Sequence, residues 1–432
     1  MKKYFIFAAA AIVAASCAKT PAPVQTPDGP EAPAVEGQVA VQFGTNVSAN
    51  VETKAVGSVD AWASTQKLYV YGFPRVKNAD VITWDFENPF IKNVEASAPA
   101  NGTTGKIEVL DNTASSAKPF YYKGTTTYDF FGYYVDDAVD ATPNPTLLDP
   151  DKDAFILPIT IDGGQDIMLA KASAADAFAA LTDEDKNEHW SASGIWAQDS
   201  DNLWKDVYAF SAYAARRKVH PILKFEHQLT QIQLYVQSGT NFATNPKLKI
   251  KSVEFQEVNT KADLCIAVQK GSTKVTGVTD EGTPASIFVT EATATSDPVN
   301  PTRKPLTELE VASEGSAAQK LGDCTMLFPA ASYKVNMTLS QETFTGSGVF
   351  EDQDLPIELK IGEVLIPDTE GKKPGEEGYA ETSTQQTQFE KGYKYDVYVT
   401  VYGLEKVDVT VVLSAWAEGG RINIDTDDKP EF

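Results

Sequence analysis

Apolar and polar residues alternate along most of the chain, in short runs that turn-forming residues separate. A period of two residues places successive side chains on opposite faces of a strand, so these runs predict half-buried β-strands. Up to residue 161 the predicted strands cover residues 39–47, 67–73 (ended by Pro74), 82–86, 106–110, 119–122, 128–135 and 155–161. After residue 220 they cover residues 223–236, 247–258, 266–268, 287–289, 326–329, 333–339, 355–361, 393–401, 407–416 and 422–424. Many short strands between turn signals indicate a mainly-β protein built as β-sandwiches.

Helical signals are confined to residues 173–217. Ser173 is a suitable N-cap for an alanine-rich helix over 174–181, which gives way to a polar run over 182–188. A second short helix is predicted within 207–217. The basic cluster Arg216, Arg217 and Lys218 lies at its end, and we interpret it as a solvated surface patch or as a site for a trypsin-like protease.

The first 17 residues have the features of an export signal. Lys2 and Lys3 precede an apolar run that ends in small residues and then Cys17. The run is shorter than the about 20 residues that cross a membrane, so it predicts a removed leader. We expect Cys17 to carry a lipid such as palmitate, because lipoprotein processing modifies a cysteine directly after small residues; the alternative is an ordinary signal peptide with a chance cysteine. No Asp follows Cys17, which favours delivery to the outer membrane.

Charge excludes one class of partner. The chain has 60 acidic and 37 basic residues and a net charge of −23, so its surface repels phosphate backbones and we expect no nucleic-acid partner. The 17 Tyr residues agree with a β-rich fold. Besides Cys17, the chain has only Cys265 and Cys324, either as buried apolar side chains or as a disulfide pair.

No sequence motif indicates catalysis, a cofactor or a zinc site. A nucleophile elbow, a phosphate loop and a dinucleotide fingerprint are all missing from the sequence. None of the histidines has a partner at zinc-ligand spacing; they are His189, His220 and His227. We therefore expect no enzyme, no cofactor and no metal.

The run Asp149, Asp151 and Asp153 has the spacing of a calcium loop in part. An EF-hand loop needs Gly at its sixth position and Glu at its twelfth, where this chain has Ala154 and Thr160. A solvated acidic loop is the better interpretation of this run.

Two aromatic pairs on predicted strands have two interpretations. Tyr121 and Tyr122 form one pair, and Tyr133 and Tyr134 form the other. On an alternating strand one member of each pair faces the core, and we expect core packing for these residues. The alternative is a platform on which sugars stack.

Several segments together resemble fimbrillins, the lipoprotein-derived (type V) pilins of Bacteroidales-type gut and oral bacteria. The resemblance spans the chain with loose motifs. They are the leader with its cysteine, the Val-x-Val-x-Phe strand followed by Glu52-Thr53-Lys54-Ala55, the segment Asp166-Ile167-Met168-x-Ala170, the segment Phe225-Glu226-His227-Gln228-Leu229, and Phe389-x-x-Gly392-x-x-Tyr395 with the strand at 409–416 and Gly419 after it.

The resemblance implies two tandem transthyretin-like β-sandwich domains with a short helical insertion. Residues 1–17 would be the lipoprotein signal peptide, 18–54 a linker and first strand that form a propeptide, 55–220 the first sandwich and 221–432 the second. The chain would be a structural subunit of a cell-surface fimbria that supports adhesion. It would be exported as an outer-membrane lipoprotein, cut by a trypsin-like surface protease and joined to other fimbrial subunits by strand exchange.

The resemblance also assigns roles to individual residues. Cleavage would follow Lys54 and leave Ala55 as the new N-terminus, although relatives are often cut after Arg and the first Arg here is Arg75. The displaced strand would contain Val39, Val41 and Phe43. The candidate donor region, which a neighbouring subunit would receive, contains Val407, Val409, Val411, Leu413, Ile422 and Ile424.

Two other functions fit the same sequence. The first is a fimbrial anchor or tip lipoprotein, and an anchor would keep its lipid. The second is a surface glycan-binding lipoprotein, which requires an exposed aromatic platform.

Overall fold

The structure is a computed structural model that describes residues 39–46, 66–78, 81–97, 104–107, 109–111, 117–139, 142–148, 150–179, 181–189, 210–240, 247–269, 271–280, 282, 284–293, 302–342, 349–361, 364–367, 383–402, 404 and 407–414. The predicted leader with Cys17, the predicted cleavage point at Lys54 and Ala55, and the last candidate donor residues, Ile422 and Ile424, lie outside the described residues.

β-strands form most of the described structure, so the mainly-β class that the sequence predicts is confirmed. In the first half of the chain the strands are β1 (Phe43–Asn46), β2 (Lys67–Asn78), β3 (Val81–Trp84), β4 (Ile91–Ser97), β5 (Thr104–Ile107), β6 (Leu110–Asp111), β7 (Lys118–Pro119), β8 (Tyr128–Tyr134), β9 (Thr146–Leu147), β10 (Ala154–Thr160) and β11 (Met168–Lys171). In the second half they are β12 (Ile222–His227), β13 (Thr230–Ser238), β14 (Leu248–Asn259), β15 (Lys261–Val268), β16 (Gly277–Asp280), β17 (Pro284–Phe288), β18 (Thr290–Ala292), β19 (Arg303–Pro305), β20 (Leu309–Glu310), β21 (Gln319–Leu327), β22 (Ser332–Glu342), β23 (Val349–Lys360), β24 (Val364–Pro367), β25 (Ser383–Gln386), β26 (Lys394–Val401) and β27 (Val407–Ser414).

Short helices lie between β11 and β12 in the described part of the chain. They are α1 (Ala174–Ala179), α2 (Asp183–His189) and α3 (Ala212–Ala215). α1 confirms the first predicted helix. α2 corrects the prediction of a non-helical polar run: the N–H of Lys186 donates to the carbonyl of Thr182 at 3.0 Å, so Thr182 caps this second helix. Of the helix predicted within 207–217, residues 207–209 lie outside the described residues, and in the described remainder only α3 is helical. It begins where the hydroxyl of Ser211 accepts a hydrogen bond from the N–H of Ala214.

The largest sheet contains β8 as an inner strand that is buried on both faces. Its strand order is β3-β2-β8-β11-β12-β1-β5, and β4 also pairs with β2. All seven residues of β8 are buried. Phe131 and Tyr133 on one face of β8 belong to an apolar core that extends into the second half of the chain, which we call the continuous core. Phe130 on the other face belongs to a core that also contains Ala214 of α3, which we call the helix-side core.

The remaining larger sheets belong to the continuous core. β10 pairs antiparallel with β15 in the sheet β9-β10-β15-β16, so the two halves of the chain share a sheet. The sheets β21-β13-β26-β27 and β17-β14-β22-β23 contribute side chains such as Val397 and Phe255 to one core, and β20 pairs with β14 beside them. This is a β-sandwich arrangement.

The predicted strand over 223–236 is two strands in two different sheets, so that prediction is wrong. β12 belongs to the large sheet and β13 to the four-stranded sheet β21-β13-β26-β27. Between them, the N–H of Gln228 donates to the carbonyl of Ile167 at 2.8 Å, while the carbonyl of Leu229 accepts from Gly392 at 2.8 Å. The backbone therefore changes partners at Gln228 and Leu229, and the apolar alternation shifts by one residue between Leu229 and Ile232.

β2 continues past Pro74, which the sequence predicts to be its end. The N–H of Arg75 donates to the carbonyl of Thr127, so the nitrogen of Pro74 faces the opposite side of the strand. On that side the pairing with β4 has ended and the pairing with β3 begins only at Arg75. A missing N–H costs no ladder hydrogen bond at such a position.

A buried ion pair joins β2, β3 and β8. The guanidinium of Arg75 donates to both carboxylate oxygens of Asp129, at 2.6 and 2.7 Å, and the indole N–H of Trp84 donates to the same carboxylate at 2.6 Å. The side chain of Asp129 is 5% exposed and that of Arg75 13%. Two charges this well buried are stable only as a pair.

Removing the carboxylate should therefore destabilise the fold. We expect Asp129→Ala to lower the free energy of unfolding by about 3–5 kcal/mol, because Arg75 would stay buried without its counter-charge. Glu310→Ala, which breaks the exposed pair of Lys247 and Glu310, is the control and should change it by no more than about 1 kcal/mol. Urea unfolding of the two variants measures both free-energy changes. Equal losses of stability would show that Asp129 does not hold β2, β3 and β8 together.

Candidate assembly site around the first strand

β1 is an inner strand of the large sheet although it lies near the start of the chain. It runs parallel to β12, with Gly44 opposite Ile222, and antiparallel to β5, with Gly44 opposite Lys106. Just before β1, the N–H of Val41 donates to the carbonyl of Phe120 at 2.7 Å. The segment over 39–46 is thus bonded on both sides by residues that come later in the chain.

Alternate side chains at the start of this segment belong to the helix-side core or pack against it. Val41 is 5% exposed and Phe43 2%, and Val39 packs against them as a half-buried residue. The ring of Phe43 meets that of Phe130 edge-on, with centroids 5.0 Å apart. Full burial of a Val or Phe side chain stabilises by about 1.5–3 kcal/mol. The three predicted residues of the displaced strand therefore lie on one apolar face, as their spacing predicts.

Loss of this segment would open a groove in the sheet. The side of β12 that pairs with β1, at Ile222, Leu223 and Lys224, would lose its partner, and so would the side of β5 at residues 104–107. Unpaired strand edges bind further strands. The groove offers both backbone partners and apolar space where Val41 and Phe43 had been.

The last described strand, β27, is at the edge of its sheet. It pairs antiparallel with β26 from Val407 opposite Val401 to Ser414 opposite Lys394, which includes Leu413. Among the residues described, no strand pairs with its other side. Val411 is 9% exposed and Val409 packs against the continuous core, so β27 contributes to the core of its own chain.

Three segments that the sequence singles out meet at the turn between β12 and β13. The Nδ1 atom of His227 lies 2.7 Å from Oδ1 of Asp166, and these side chains are 4% and 0% exposed. The hydroxyl of Thr230 donates to the carbonyl of Glu390 at 2.8 Å, and the ammonium of Lys391 donates to Oε1 of Gln228 at 3.0 Å. These contacts join the two halves of the chain, so we assign a structural role to all three segments.

The structure brings together no metal-binding group of three His, Cys, Asp or Glu residues in the part of the chain that it describes. His220 is half-buried and His227 pairs with Asp166, whereas the side chain of His189 and all of Asp149 lie outside the described set. Asp151 is exposed. Asp153 accepts a backbone hydrogen bond from Gln269 at 2.7 Å through its carbonyl.

Cys265 and Cys324 are not joined by a disulfide. The Sγ atom of Cys265 lies 3.3 Å from the hydroxyl of Thr279, and the thiol of Cys324 donates to Oε1 of Gln233 at 3.1 Å. Of the two alternatives for these residues, the structure has the buried thiol at Cys265 and a half-buried thiol at Cys324.

The two tyrosine pairs have different environments. Tyr133 and Tyr134 are 0% and 3% exposed in β8, and burial raises the pKa of both phenols far above the ordinary value. They are core residues. Tyr122 is also buried, but Tyr121 is half-buried, and both line a surface cleft of about 630 Å³. Lys118 and Lys123, which flank the aromatic run in sequence, line the same cleft.

The basic cluster after α3 is at the surface in a turn. Arg216 and Lys218 are exposed, and the guanidinium of Arg217 lies 3.6 Å from the centroid of the Tyr213 ring. Arg216 lines the same cleft as Tyr121. Lys218 thus agrees with the interpretation as a surface patch, whereas Arg216 is exposed and also lines the cleft.

None of the helices in the described ranges combines the length and the apolar character that a membrane span requires.

Comparisons with known proteins connect the chain to fimbrial and cell-adhesion proteins. No protein-family model matches it, and no curated protein matches it. Among solved structures, it is similar to a candidate cell adhesion protein from Bacteroides uniformis ATCC 8492 (TM-score 0.44, 14% identity, covering 89% of this chain and 100% of the other). It is also similar to a fimbrial protein from Bacteroides vulgatus ATCC 8482 (0.42, 14%, 87% and 99%) and to the tip fimbrial protein Mfa3 from Porphyromonas gingivalis (0.31, 12%, 88% and 100%). Because these identities and TM-scores are low, we derive function from the residues of this chain.

The burial of Phe43 predicts that the first strand stabilises the fold. We expect Phe43→Ala to reduce the free energy of unfolding by about 3–5 kcal/mol, through lost transfer energy and a cavity beside Phe130. Phe350→Ala is the matched control, because Phe350 is 55% exposed; it should cost no more than about 0.5 kcal/mol. The two midpoints of chemical unfolding give the comparison, and a Phe43 variant as stable as the control would show that the strand is not part of the core.

Proposed function

We propose that this chain is a structural subunit of a cell-surface fimbria, exported as an outer-membrane lipoprotein anchored at Cys17 and polymerised by exchange of a β-strand. The observation that carries the proposal is the position of β1. A strand that comes before a predicted cleavage point, at Lys54, lies inside a sheet built from later residues. Cutting the chain after Lys54 separates β1 from the rest of the subunit covalently while leaving the remaining strands on one chain.

Arg75 does not offer a competing cleavage point in the folded chain. The bond after Arg75 lies within β2, which is paired with β3 and β8 there, and the Arg75 side chain is held by Asp129. A protease needs an exposed, unpaired segment. This favours cleavage after Lys54, with Ala55 as the new N-terminus, by a protease that accepts lysine.

The groove that remains after loss of β1 has a defined chemistry. A replacement strand must present apolar side chains at alternate positions to fill the space of Val39, Val41 and Phe43, and it must pair its backbone with β12 and β5. A neighbouring subunit would satisfy both requirements with a C-terminal segment. The result is a polymer in which each subunit completes the fold of the next.

Between the two parts of the candidate donor region, we favour the later one. Val409 and Val411 already pack in their own core as part of β27, so donating them would open that core. Ile422 and Ile424 have the alternate spacing that the groove requires. We therefore propose residues 415–432 as the donor segment.

The cleavage step can be tested on native cell surfaces. We expect the mature subunit to begin at Ala55 and to run as a ladder of polymers, whereas Lys54→Gln should retain a lipidated Cys17 and give no ladder. Lys67→Gln is the control, because Lys67 makes only an exposed ion pair with Glu95. Intact mass and N-terminal sequencing measure both. A wild-type protein that starts at Cys17 without polymers would contradict the proposal and favour a fimbrial anchor or a glycan-binding lipoprotein.

The donor assignment has a separate test. A chain that ends at Ser414 should be exported and cut at Lys54 but should remain a monomer, because its neighbours would find no strand for their grooves. Gel analysis of surface extracts under mild conditions would show the loss of the ladder. Ladders of normal length from this truncated chain would move the donor role to β27 or to another segment.

A further inference from the structure

A cleft at the surface of the helix-side core is a separate candidate site, although Val39 of the predicted displaced strand is one of its lining residues. It has a volume of about 630 Å³ and lies where Phe90, the segment over 118–124 and the end of α3 meet. Its size is within the range of small-molecule sites in proteins, about 300–1,000 Å³. A cleft of this size holds a mono- or disaccharide.

Aromatic rings form much of its wall. Phe90, Phe120 and Tyr121 are half-buried, so part of each ring remains open to solvent, and Tyr122 closes the wall behind them. The rings of Phe90 and Phe120 meet edge-on with their centroids 5.7 Å apart. Aromatic faces carry partial negative charge and attract the polarised C–H groups on the flat side of a sugar ring. A free inorganic anion has no apolar face that could contact these aromatic rings.

The charge of the cleft is opposite to that of the protein. Among the described lining residues, Lys118, Lys123 and Arg216 are basic and Asp111 is acidic. The ammonium of Lys123 lies 5.6 Å from the centroid of the Phe90 ring, so one positive charge is beside the aromatic wall. The net charge of the chain is −23, but charges farther away than about 10 Å are screened at 0.1 M salt. The local excess of basic groups therefore decides which ligands the cleft attracts.

The geometry points to an anionic saccharide, a sugar that bears a carboxylate, as the ligand of this cleft. Lys118, Lys123 and Arg216 would bind the carboxylate through charge-assisted hydrogen bonds. Tyr121 and Phe90 would contact the apolar face of the sugar, and Asp111 would accept hydrogen bonds from its hydroxyl groups. This inference concerns the intact chain, whose cleft includes Val39. After cleavage at Lys54, that part of the wall would come from the strand that replaces β1.

Binding of defined saccharides to the full-length chain tests the inference. The probes are 3′-sialyllactose and digalacturonic acid as carboxylated sugars, lactose as the neutral sugar, and inorganic phosphate as the free anion. By calorimetry and saturation-transfer NMR we expect at least one carboxylated sugar to bind and lactose to bind at least about tenfold more weakly. Equimolar phosphate should not displace the carboxylated sugar.

Substitutions in the cleft provide the second part of the test. Lys123→Glu and Arg216→Glu should each weaken binding of the carboxylated sugar about tenfold or more, because each places a negative charge where the carboxylate would bind. Lys360→Glu is the matched control; this lysine side chain is 64% exposed on β23, away from the cleft, and the variant should bind as the wild type does. Thermal unfolding checks that all three variants fold.

Several results would overturn the inference. Equal binding of lactose would remove the role of the carboxylate, and displacement by equimolar phosphate would leave only a general anion site. No binding of either carboxylated sugar, or full binding by both cleft variants, would show that the cleft is not a saccharide site.

Discussion

The contact between Asp166 and His227 holds the architecture together. These side chains are almost completely buried and lie 2.7 Å apart, and groups of this polarity are stable inside a protein only with a partner. The pair lies where the chain passes from the large sheet into the sandwich of the second half, and Gln228 and Leu229 bond to opposite halves there. The expected boundary at residues 220 and 221 falls just before β12, which completes the large sheet. The two halves therefore share this turn, and the first strand after the expected boundary belongs to the large sheet.

The sequence predicts strands well where one alternating run forms one strand. β26 is an example, since every second residue of this strand is buried, as the alternation in its sequence predicts. Prediction failed where a decision depends on distant partners. The change of sheet after Gln228 has a local mark, because the apolar alternation shifts by one residue between Leu229 and Ile232. The shift does not say which distant strands the two segments join. Pro74 is a stop signal by itself, and only the gap between β3 and β4 makes it acceptable inside β2.

The candidate site shows the same limit. The spacing of Val39, Val41 and Phe43 predicts their common apolar face, but no local pattern predicts that the strand lies between β12 and β5, because those partners are distant in sequence. Tyr121-Tyr122 and Tyr133-Tyr134 are the same dipeptide in sequence. The second lies in β8, a strand that is buried on both faces. In the first, Tyr121 makes a single bridge with Ala40 and remains half-buried. Burial by other segments, and not the residue type, decides which pair lines a cleft.

The orientation of β1 has a consequence for any polymer that forms through its groove. β1 is parallel to β12 and antiparallel to β5, so the two walls of the groove run in opposite directions. A substitute strand in the register of β1 can enter with only one chain direction if it is to repeat this hydrogen-bond pattern. Each joint would then have the same head-to-tail sense, and such contacts build open filaments and not closed pairs. A fibre built in this way has two unlike ends, one with an empty groove and one with an unused strand, and it can grow from them by different reactions.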